Sequence, residues 1–174
     1  MKTSSSSPPQ PGGGSAGGGG GDAAQQVIEL TEHFLDDYAV DPDRVYGMGY
    51  SAGGELMAQV LNTRADLFAA YVHVSSRWNG SVDDVVSHRT AVYIFMAQSD
   101  EYYGPDRARD AYQGLLAGYA AAGVPRGEAE RLTVLNLPDD SYFARQGIDY
   151  FHDGGMVAAD DDSLVRWVLD QRRT

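Results

Sequence analysis

Short, largely apolar runs alternate along the chain with stretches in which apolar residues recur at helical spacing. The runs cover residues 44–49, 67–74, 91–97 and 132–137. A continuous apolar run of this length is typical of a strand that is buried on both faces of a sheet. The four runs therefore predict four strands.

Between these runs, apolar residues recur every three to four positions, which is the spacing of an amphipathic helix. This spacing predicts helices near residues 22–39, 52–63, 105–122 and 161–171. Strands that alternate with helices are typical of a parallel sheet whose two faces are both covered by helices. We therefore predict an α/β fold with a mainly parallel sheet of about four strands flanked by helices.

The first 21 residues differ in composition from the rest of the chain. Most of them are serine, proline or glycine, and such a segment cannot bury apolar surface. We expect a disordered tail at residues 1–21 and one folded domain at residues 22–174. Lys2 has no apolar stretch behind it, so we expect no secretory signal and take the cytoplasm as the default compartment.

The chain is acidic, with 25 Asp and Glu residues against 13 Lys and Arg residues and a formal net charge of -12. This excess argues against binding to nucleic acid or to an anionic membrane surface, because both would repel the protein. No apolar stretch reaches the length of a membrane span. The lack of cysteine excludes disulfides, a catalytic thiolate and cysteine-ligated zinc.

One motif points to chemistry: Gly49-Tyr50-Ser51-Ala52-Gly53 is a G-x-S-x-G sequence between a predicted strand and a predicted helix. In a nucleophile elbow this turn is sharp and strained, so that the serine is exposed. We predict Ser51 as nucleophile and the Ala52 N–H as an oxyanion donor. Side chains at Gly49 and Gly53 would strike neighbouring elements. The alternative is a glycine-rich turn with an incidental N-cap serine.

A serine nucleophile needs a base to accept its proton and an acid to orient that base. Where the motif forms a nucleophile elbow between a strand and a helix, the chain order is serine, then the acid, then histidine. Asp100 follows the third predicted strand, and His152 is the only histidine after it. We therefore predict Asp100 as the acid and His152 as the base. Glu101 is a rival acid, and a loop histidine without a role is the alternative for His152.

The other three histidines have structural explanations. His33 lies on the polar-apolar boundary of the first predicted helix, His73 lies inside a predicted strand, and His88 precedes a strand. We expect a packed or solvated His33, a hydrogen-bonded core His73 and an exposed His88. Since no pair of them has metal-ligand spacing with a carboxylate, we predict neither a metal nor another cofactor.

Several segments together resemble a known family. Residues 41–54, 74–80, 100–104 and 152–167 are similar to bacterial α/β-hydrolase esterases of the polyhydroxybutyrate-depolymerase and feruloyl-esterase type. The resemblance extends over about residues 23–171. The G-x-S-x-G motif is shared by the whole superfamily. The Asp-Glu-Tyr-Tyr-Gly and Ser-Ser-Arg-Trp-Asn-Gly segments are more specific to this esterase type.

The resemblance implies a partial α/β-hydrolase fold and hydrolysis of a small-molecule or polymeric ester through an acyl-enzyme. It also implies that Trp78, together with Tyr50 and Tyr102, lies beside the acyl or alcohol pocket. The alternative for Trp78 is a side chain that fills the core. Family relatives are often secreted.

The chain departs from this family before the motif. The family has several strands there, and a loop among them supplies the second oxyanion donor. We therefore expect an N-terminally truncated domain, in which the strand at residues 45–48 is an exposed edge that favours self-association. Losing one oxyanion donor costs about 10²–10³ in rate. Three functions stay open: a serine esterase, a peptidase of the prolyl-oligopeptidase type, and an inactive remnant.

Overall fold

The computed structural model describes residues 19–173. Four strands and seven α-helices alternate along this part of the chain. In order they are α1 Gly19–Asp37, β1 Tyr46–Tyr50, α2 Ala52–Arg64, β2 Ala70–Val74, α3 Asp83–His88, β3 Ala91–Phe95, α4 Pro105–Ala121, α5 Arg126–Leu132, β4 Thr133–Asn136, α6 Asp140–Ala144 and α7 Asp162–Leu169. Three 3-10 segments, Pro42–Arg44, Ala65–Leu67 and Phe151–Asp160, complete the connections.

The four strands form one parallel sheet in the order β1-β2-β3-β4. In this register Tyr50 lies opposite Val74, and Val74 lies opposite Phe95. The carboxyl ends of β1, β2 and β3 therefore meet at one rim of the sheet. Chemical groups that follow these three strands are brought together there.

Alternate residues of the central strands enter two separate cores. Tyr71 and Ile94 lie in a core beneath α1, α2 and α4, whereas Val72 and Phe95 lie in a core beneath the Phe151–Asp160 segment and α7. Every residue of β2 and β3 is buried, which explains why their sequences are continuous apolar runs rather than alternating ones.

The predicted fold class is confirmed: a parallel sheet of four strands is flanked by helices. The prediction missed α3, α5 and α6, which have only five to seven residues, too few for a helical period to be recognised. The connection between β4 and α7 contains the 3-10 segment Phe151–Asp160 as well as α6. Helix α1 begins at Gly19, three residues before the predicted domain start, and residues 1–18 lie outside the described part.

Strand β1 lies at one edge of the sheet and, within residues 19–173, pairs with β2 only. Met48 on this strand is 44% exposed. In the same range of residues, no helix combines the length and the apolar character that crossing a membrane requires.

Candidate active site

Ser51 lies at the corner between β1 and α2. Its backbone has φ 52° and ψ -123°, a positive-φ conformation that is strained for any residue with a side chain. This backbone conformation lets the chain pass from strand to helix within one residue. The hydroxyl makes no hydrogen bond that caps α2, and Oγ lies 2.9 Å from His152 Nε2.

Glycines allow this corner to pack tightly. Of the two glycines that were expected to avoid a clash, Gly49 and Gly53, only Gly49 does so. A Cβ atom at Gly49 would lie 2.6 Å from the carbonyl oxygen of Gly53, and one at Gly54 would lie 2.5 Å from Ser76 Cβ. A Cβ atom at Gly53 would meet nothing within 4 Å. The expectation of a clash was therefore wrong at Gly53, because its Cα faces open space, and it applies instead to Gly54.

Ala52 is the first residue of α2 and is exposed. The first N–H groups of a helix have no acceptor within the helix, and the helix dipole places partial positive charge there. The preceding carbonyl, that of Ser51, accepts hydrogen bonds from Ser76 Oγ at 2.7 Å and from the backbone N–H groups of Gly54 and Glu55 at 2.9 and 3.2 Å. The peptide before Ala52 is thereby fixed in orientation beside the serine hydroxyl.

Asp100 follows β3, and each oxygen of its carboxylate has hydrogen-bond partners. Oδ1 accepts hydrogen bonds from the backbone N–H groups of Tyr102, Tyr103 and Gly104 at 3.0, 2.7 and 3.2 Å. Oδ2 lies 2.9 Å from His152 Nδ1. The side chain of Asp100 is fully buried. Its orientation is consequently fixed by the turn that follows it.

His152 lies in the 3-10 segment Phe151–Asp160 and is only 7% exposed. Two glycines bring this segment against the rim of the sheet. A Cβ atom at Gly154 would lie 2.3 Å from the Phe143 ring, and one at Gly155 would lie 2.5 Å from the Tyr50 ring. Side chains at either position would push the segment, and the imidazole with it, away from Ser51.

Within residues 19–173, Glu101, the rival acid, makes no hydrogen bond or ion pair with the imidazole. Its two oxygens accept hydrogen bonds from the backbone N–H groups of Phe151 and His152, at 3.1 and 3.0 Å. The neighbouring carboxylates therefore hold different parts of the same residue: Asp100 bonds to the side chain of His152, and Glu101 bonds to its backbone.

Tyrosine rings surround the imidazole. The rings of Tyr50, Tyr102 and Tyr103 lie 5.5, 5.1 and 5.6 Å from that of His152. Burial, followed by the nearby Asp153, raises the pKa of Tyr50 to about 12. Tyr102 is 67% exposed. Tyr50 and Tyr102 therefore lie next to His152, and their place beside a substrate pocket stays a prediction.

Trp78 lies further back. Its ring packs against those of His73 and Tyr71 at 5.4 and 6.1 Å, and its Nε1–H donates to the Ser81 carbonyl. The side chain is partly buried against the core beneath α2. Trp78 also lines a cleft of about 210 Å³ together with Arg77 and Arg107, and its place beside a substrate pocket stays a prediction.

The other histidines lie away from this rim. His73 is fully buried, and its Nδ1 lies 2.9 Å from the Tyr71 hydroxyl. His33 pairs with Asp37 on α1, and His88 is partly exposed at the end of α3. Within residues 19–173, no group of three or more His, Asp or Glu side chains is arranged to hold a metal ion.

One polar cluster was missed by sequence analysis. The Tyr103 hydroxyl donates a 2.6 Å hydrogen bond to Glu55 Oε1, and Arg77 binds both oxygens of Glu55 at 3.0 and 3.2 Å. Burial and the Glu55 carboxylate raise the pKa of Tyr103 to about 12. The hydrogen bond from Tyr103 is in turn the main cause that lowers the pKa of Glu55. Three distant segments supply these residues, and nothing in their spacing indicates the contact.

Comparison with protein families matches residues 13–152 to the prolyl oligopeptidase family. These are 140 of the 174 residues, and they extend over Ser51, Asp100 and His152. The chain belongs to the prolyl oligopeptidase family. This family of serine hydrolases has the α/β-hydrolase fold, so that the predicted superfamily is confirmed, whereas the narrower esterase resemblance is not tested.

Solved structures are similar in fold. A thermostable esterase aligns with a TM-score of 0.66 and 20% identity over 87% of this chain. The chain spans 37% of that esterase's length. A predicted CIB-like hydrolase from Thermoplasma acidophilum aligns with a TM-score of 0.46, 15% identity and coverage of 78% of this chain and 61% of the other.

The structure of a prolyl endopeptidase aligns with a TM-score of 0.43 and 16% identity. The alignment covers 78% of this chain and 23% of the endopeptidase. A search of curated protein sequences gave no significant match. The first of the three structures supports the α/β-hydrolase fold of the chain.

Proposed function

We propose that the chain is the catalytic part of a serine esterase, with Ser51 as nucleophile, His152 as base and Asp100 as acid. One observation carries the proposal: the imidazole of His152 bridges the other two residues. Its Nε2 lies 2.9 Å from Ser51 Oγ, and its Nδ1 lies 2.9 Å from Asp100 Oδ2. A loop histidine without a role would have no reason to bridge these two groups. The family match supports the same chemistry.

The proton positions follow from the inventory of donors. An ionised Asp100 can only accept, so Nδ1–H of His152 donates to it and Nε2 is left to accept from the Ser51 hydroxyl. As Oγ attacks the ester carbonyl, Nε2 takes its proton. The proton then passes to the departing alcohol, and water releases the acyl group from Ser51 by the same route. Asp100 stabilises the imidazolium that forms in between.

The negative charge that develops on the carbonyl oxygen needs a donor that is already in place. We assign the Ala52 N–H to it, because it is exposed at the N-terminus of α2 beside the serine hydroxyl. Tyr50 and Tyr102 would border the bound ester, since both rings lie next to the imidazole.

An ester is favoured over a peptide for a chemical reason. Amides are less reactive than esters and their amine leaves only when protonated, so an amide needs more oxyanion stabilisation. Each oxyanion donor contributes about 10²–10³ in rate. Of the two substrates, an ester therefore makes the smaller demand on the Ala52 N–H. The narrower resemblance to polyhydroxybutyrate depolymerases and feruloyl esterases points the same way.

Hydrolysis of 4-nitrophenyl acetate tests the proposal, with Ser51→Ala as the essential variant and Ser75→Ala as the control. Ser75 also follows a strand at the same rim and has a positive φ, but it is fully buried and makes no contact with His152. We expect turnover that is lost in Ser51→Ala and kept in Ser75→Ala. Equal rates for the wild type and Ser51→Ala would remove the esterase proposal.

Peptide hydrolysis is the second candidate, and the family match is the observation that favours it. It uses the same three residues in the same order along the chain. A fluorogenic peptide measured beside the ester decides between them. Turnover of the peptide at a kcat/KM equal to or above that of the ester would make the chain a peptidase.

A further inference from the structure

A polar cleft of about 310 Å³ opens beside the candidate base. It is lined by Glu55, Arg77, Tyr102, Tyr103 and Arg107. Tyr102 and Tyr103 also contact the imidazole ring, at centroid distances of 5.1 and 5.6 Å. The two tyrosines thus form a wall shared by the cleft and the proposed triad, and a substrate group next to His152 can extend into the cleft.

The charges in this cleft do not cancel. Both oxygens of Glu55 are bonded to Arg77, and one of them also accepts from Tyr103, so that Glu55 and Arg77 neutralise each other. Within residues 19–173, the side chain of Arg107 takes part in no ion pair and no hydrogen bond. The uncompensated charge of the cleft is therefore the guanidinium of Arg107.

Acidic residues near Arg107 do not remove this charge. Asp106 pairs with Arg109 at 3.0 Å. Asp110 lies with Arg107 along a neighbouring cleft of about 210 Å³, but the two form no ion pair within 4 Å. A free guanidinium of this kind has the donor geometry to bind a carboxylate through two parallel hydrogen bonds. Its charge is opposite in sign to that of the chain as a whole, which is -12.

The proposed mechanism decides which half of the ester occupies the cleft. His152 gives its proton to the departing alkoxide, so the alcohol portion lies on the side of the imidazole. Tyr102 and Tyr103 line the cleft on that same side. The acyl portion, bonded to Ser51 in the intermediate, does not need to pass this wall.

We propose that the substrate is an ester whose alcohol portion carries a carboxylate, and that Arg107 binds this carboxylate. The inference rests on the proposed esterase function and adds the substrate class to it. In the first step the bond from Ser51 Oγ to the acyl carbon forms, the bond from that carbon to the alcohol oxygen breaks, and the proton moves from Ser51 through His152 to the alcohol. Water then releases the acid, so the products are a carboxylic acid and a hydroxy acid.

Two acetates that differ only in charge test this inference. 4-Acetoxybenzoate and 4-acetoxybenzamide have the same acyl group and nearly the same shape, and release of each phenol is followed by chromatography. The quantity measured is the ratio of kcat/KM for the benzoate to that for the benzamide, which cancels general effects on the triad. Arg107→Gln is the variant, and Arg109→Gln, two positions further along the same helix and on another face of it, removes an equal charge from outside the cleft.

We expect Arg107→Gln to lower the benzoate-to-benzamide ratio about two- to fivefold at low ionic strength, as for one solvent-exposed ion pair, and the wild-type ratio to fall as salt is added. Arg109→Gln should leave the ratio unchanged. An unchanged ratio in Arg107→Gln, or an equal fall in both variants, would overturn the inference while the esterase function stands. If neither acetate is cleaved in a way that depends on Ser51, the esterase proposal itself fails and the inference fails with it.

Discussion

Two buried histidines, one inside strand β2 and one at the rim of the sheet, have different partners. His73 in β2 is fully buried, and its hydrogen-bond partner is the neutral hydroxyl of Tyr71. His152 at the rim is 7% exposed and lies between a buried carboxylate and a serine hydroxyl. Burial lowers the pKa of His73 to about 4, because the charged form loses its hydration and the nearby Glu55 carboxylate offsets only part of that loss.

The difference shows that burial alone does not make a histidine a useful base. A base must gain a proton during the reaction, and only an adjacent carboxylate stabilises the imidazolium in a site from which water is excluded. Asp100 supplies that carboxylate to His152, whereas the core around His73 favours the neutral form. We therefore expect substitutions of the two histidines to affect different properties of the protein.

Replacing His152 with Gln should have the largest effect. Without a group that accepts the serine proton, kcat for 4-nitrophenyl acetate should fall by about 10⁵–10⁶, while the thermal unfolding midpoint changes little. The control is His73→Asn, which should keep turnover in the folded protein. Substantial activity in His152→Gln would show that the two histidines do not differ in the proposed way.

Asp100→Asn should have the next largest effect on kcat. The amide can no longer stabilise an imidazolium, and it can favour the tautomer with the proton on Nε2, so kcat should fall about 10⁴-fold. The matched control is Asp149→Asn, which removes one exposed carboxylate before the His152 segment. If both variants kept wild-type kcat, the acid would have to be another group.

The pH dependence of stability should separate His73 from an exposed histidine. The folded pKa of about 4 lies below the usual value near 6.5, so the unfolded state takes up a proton first as the pH falls. Stability is therefore full above about pH 6.5 and declines toward pH 4, by about 2 kcal/mol between pH 7 and 5.

Chemical denaturation at pH 7 and pH 5 measures this decline. His73→Asn should lose less stability than the wild type over the interval, because it has no imidazole to protonate. His88→Asn, at an exposed position, should lose as much as the wild type. Equal losses in all three proteins would mean that His73 is not held in its neutral form.

Glu101→Gln should have the smallest effect of the four. A carboxylate accepts both backbone N–H groups of the His152 segment, whereas an amide can accept only one, so the imidazole should be less well positioned. We expect kcat to fall about tenfold with KM unchanged, and Asp149→Asn to have neither effect. A lower unfolding midpoint without any change in kcat would assign Glu101 to stability alone.

Periodicity and motif order were enough to predict the frame of this fold and the three residues of the proposed triad. The order of Ser51, Asp100 and His152 along the chain limits the choice to one histidine, and the parallel sheet brings the ends of β1 and β3 to the same rim. Such inferences need only local sequence and the rules of parallel sheets.

Other features depend on contacts between distant segments, which a single sequence does not specify. The bond from Glu101 to the backbone at residue 151 joins positions 50 apart, and the Tyr103–Glu55 bond joins positions 48 apart. Trp78 packs against His73 and also lines a cleft, so its expected place beside the substrate pocket stays a prediction. Which side chains meet in such contacts depends on the direction in which each side chain points in the folded protein.

The central claim is that His152 activates Ser51, and labelling by a fluorophosphonate probe tests it most directly. The probe reacts with a serine whose proton is removed by a neighbouring base, and peptide mapping identifies the modified residue. We predict labelling at Ser51 in the wild type and a rate at least about 10²-fold lower in His152→Gln. Equal labelling of the two proteins, or labelling at another residue, would contradict the claim.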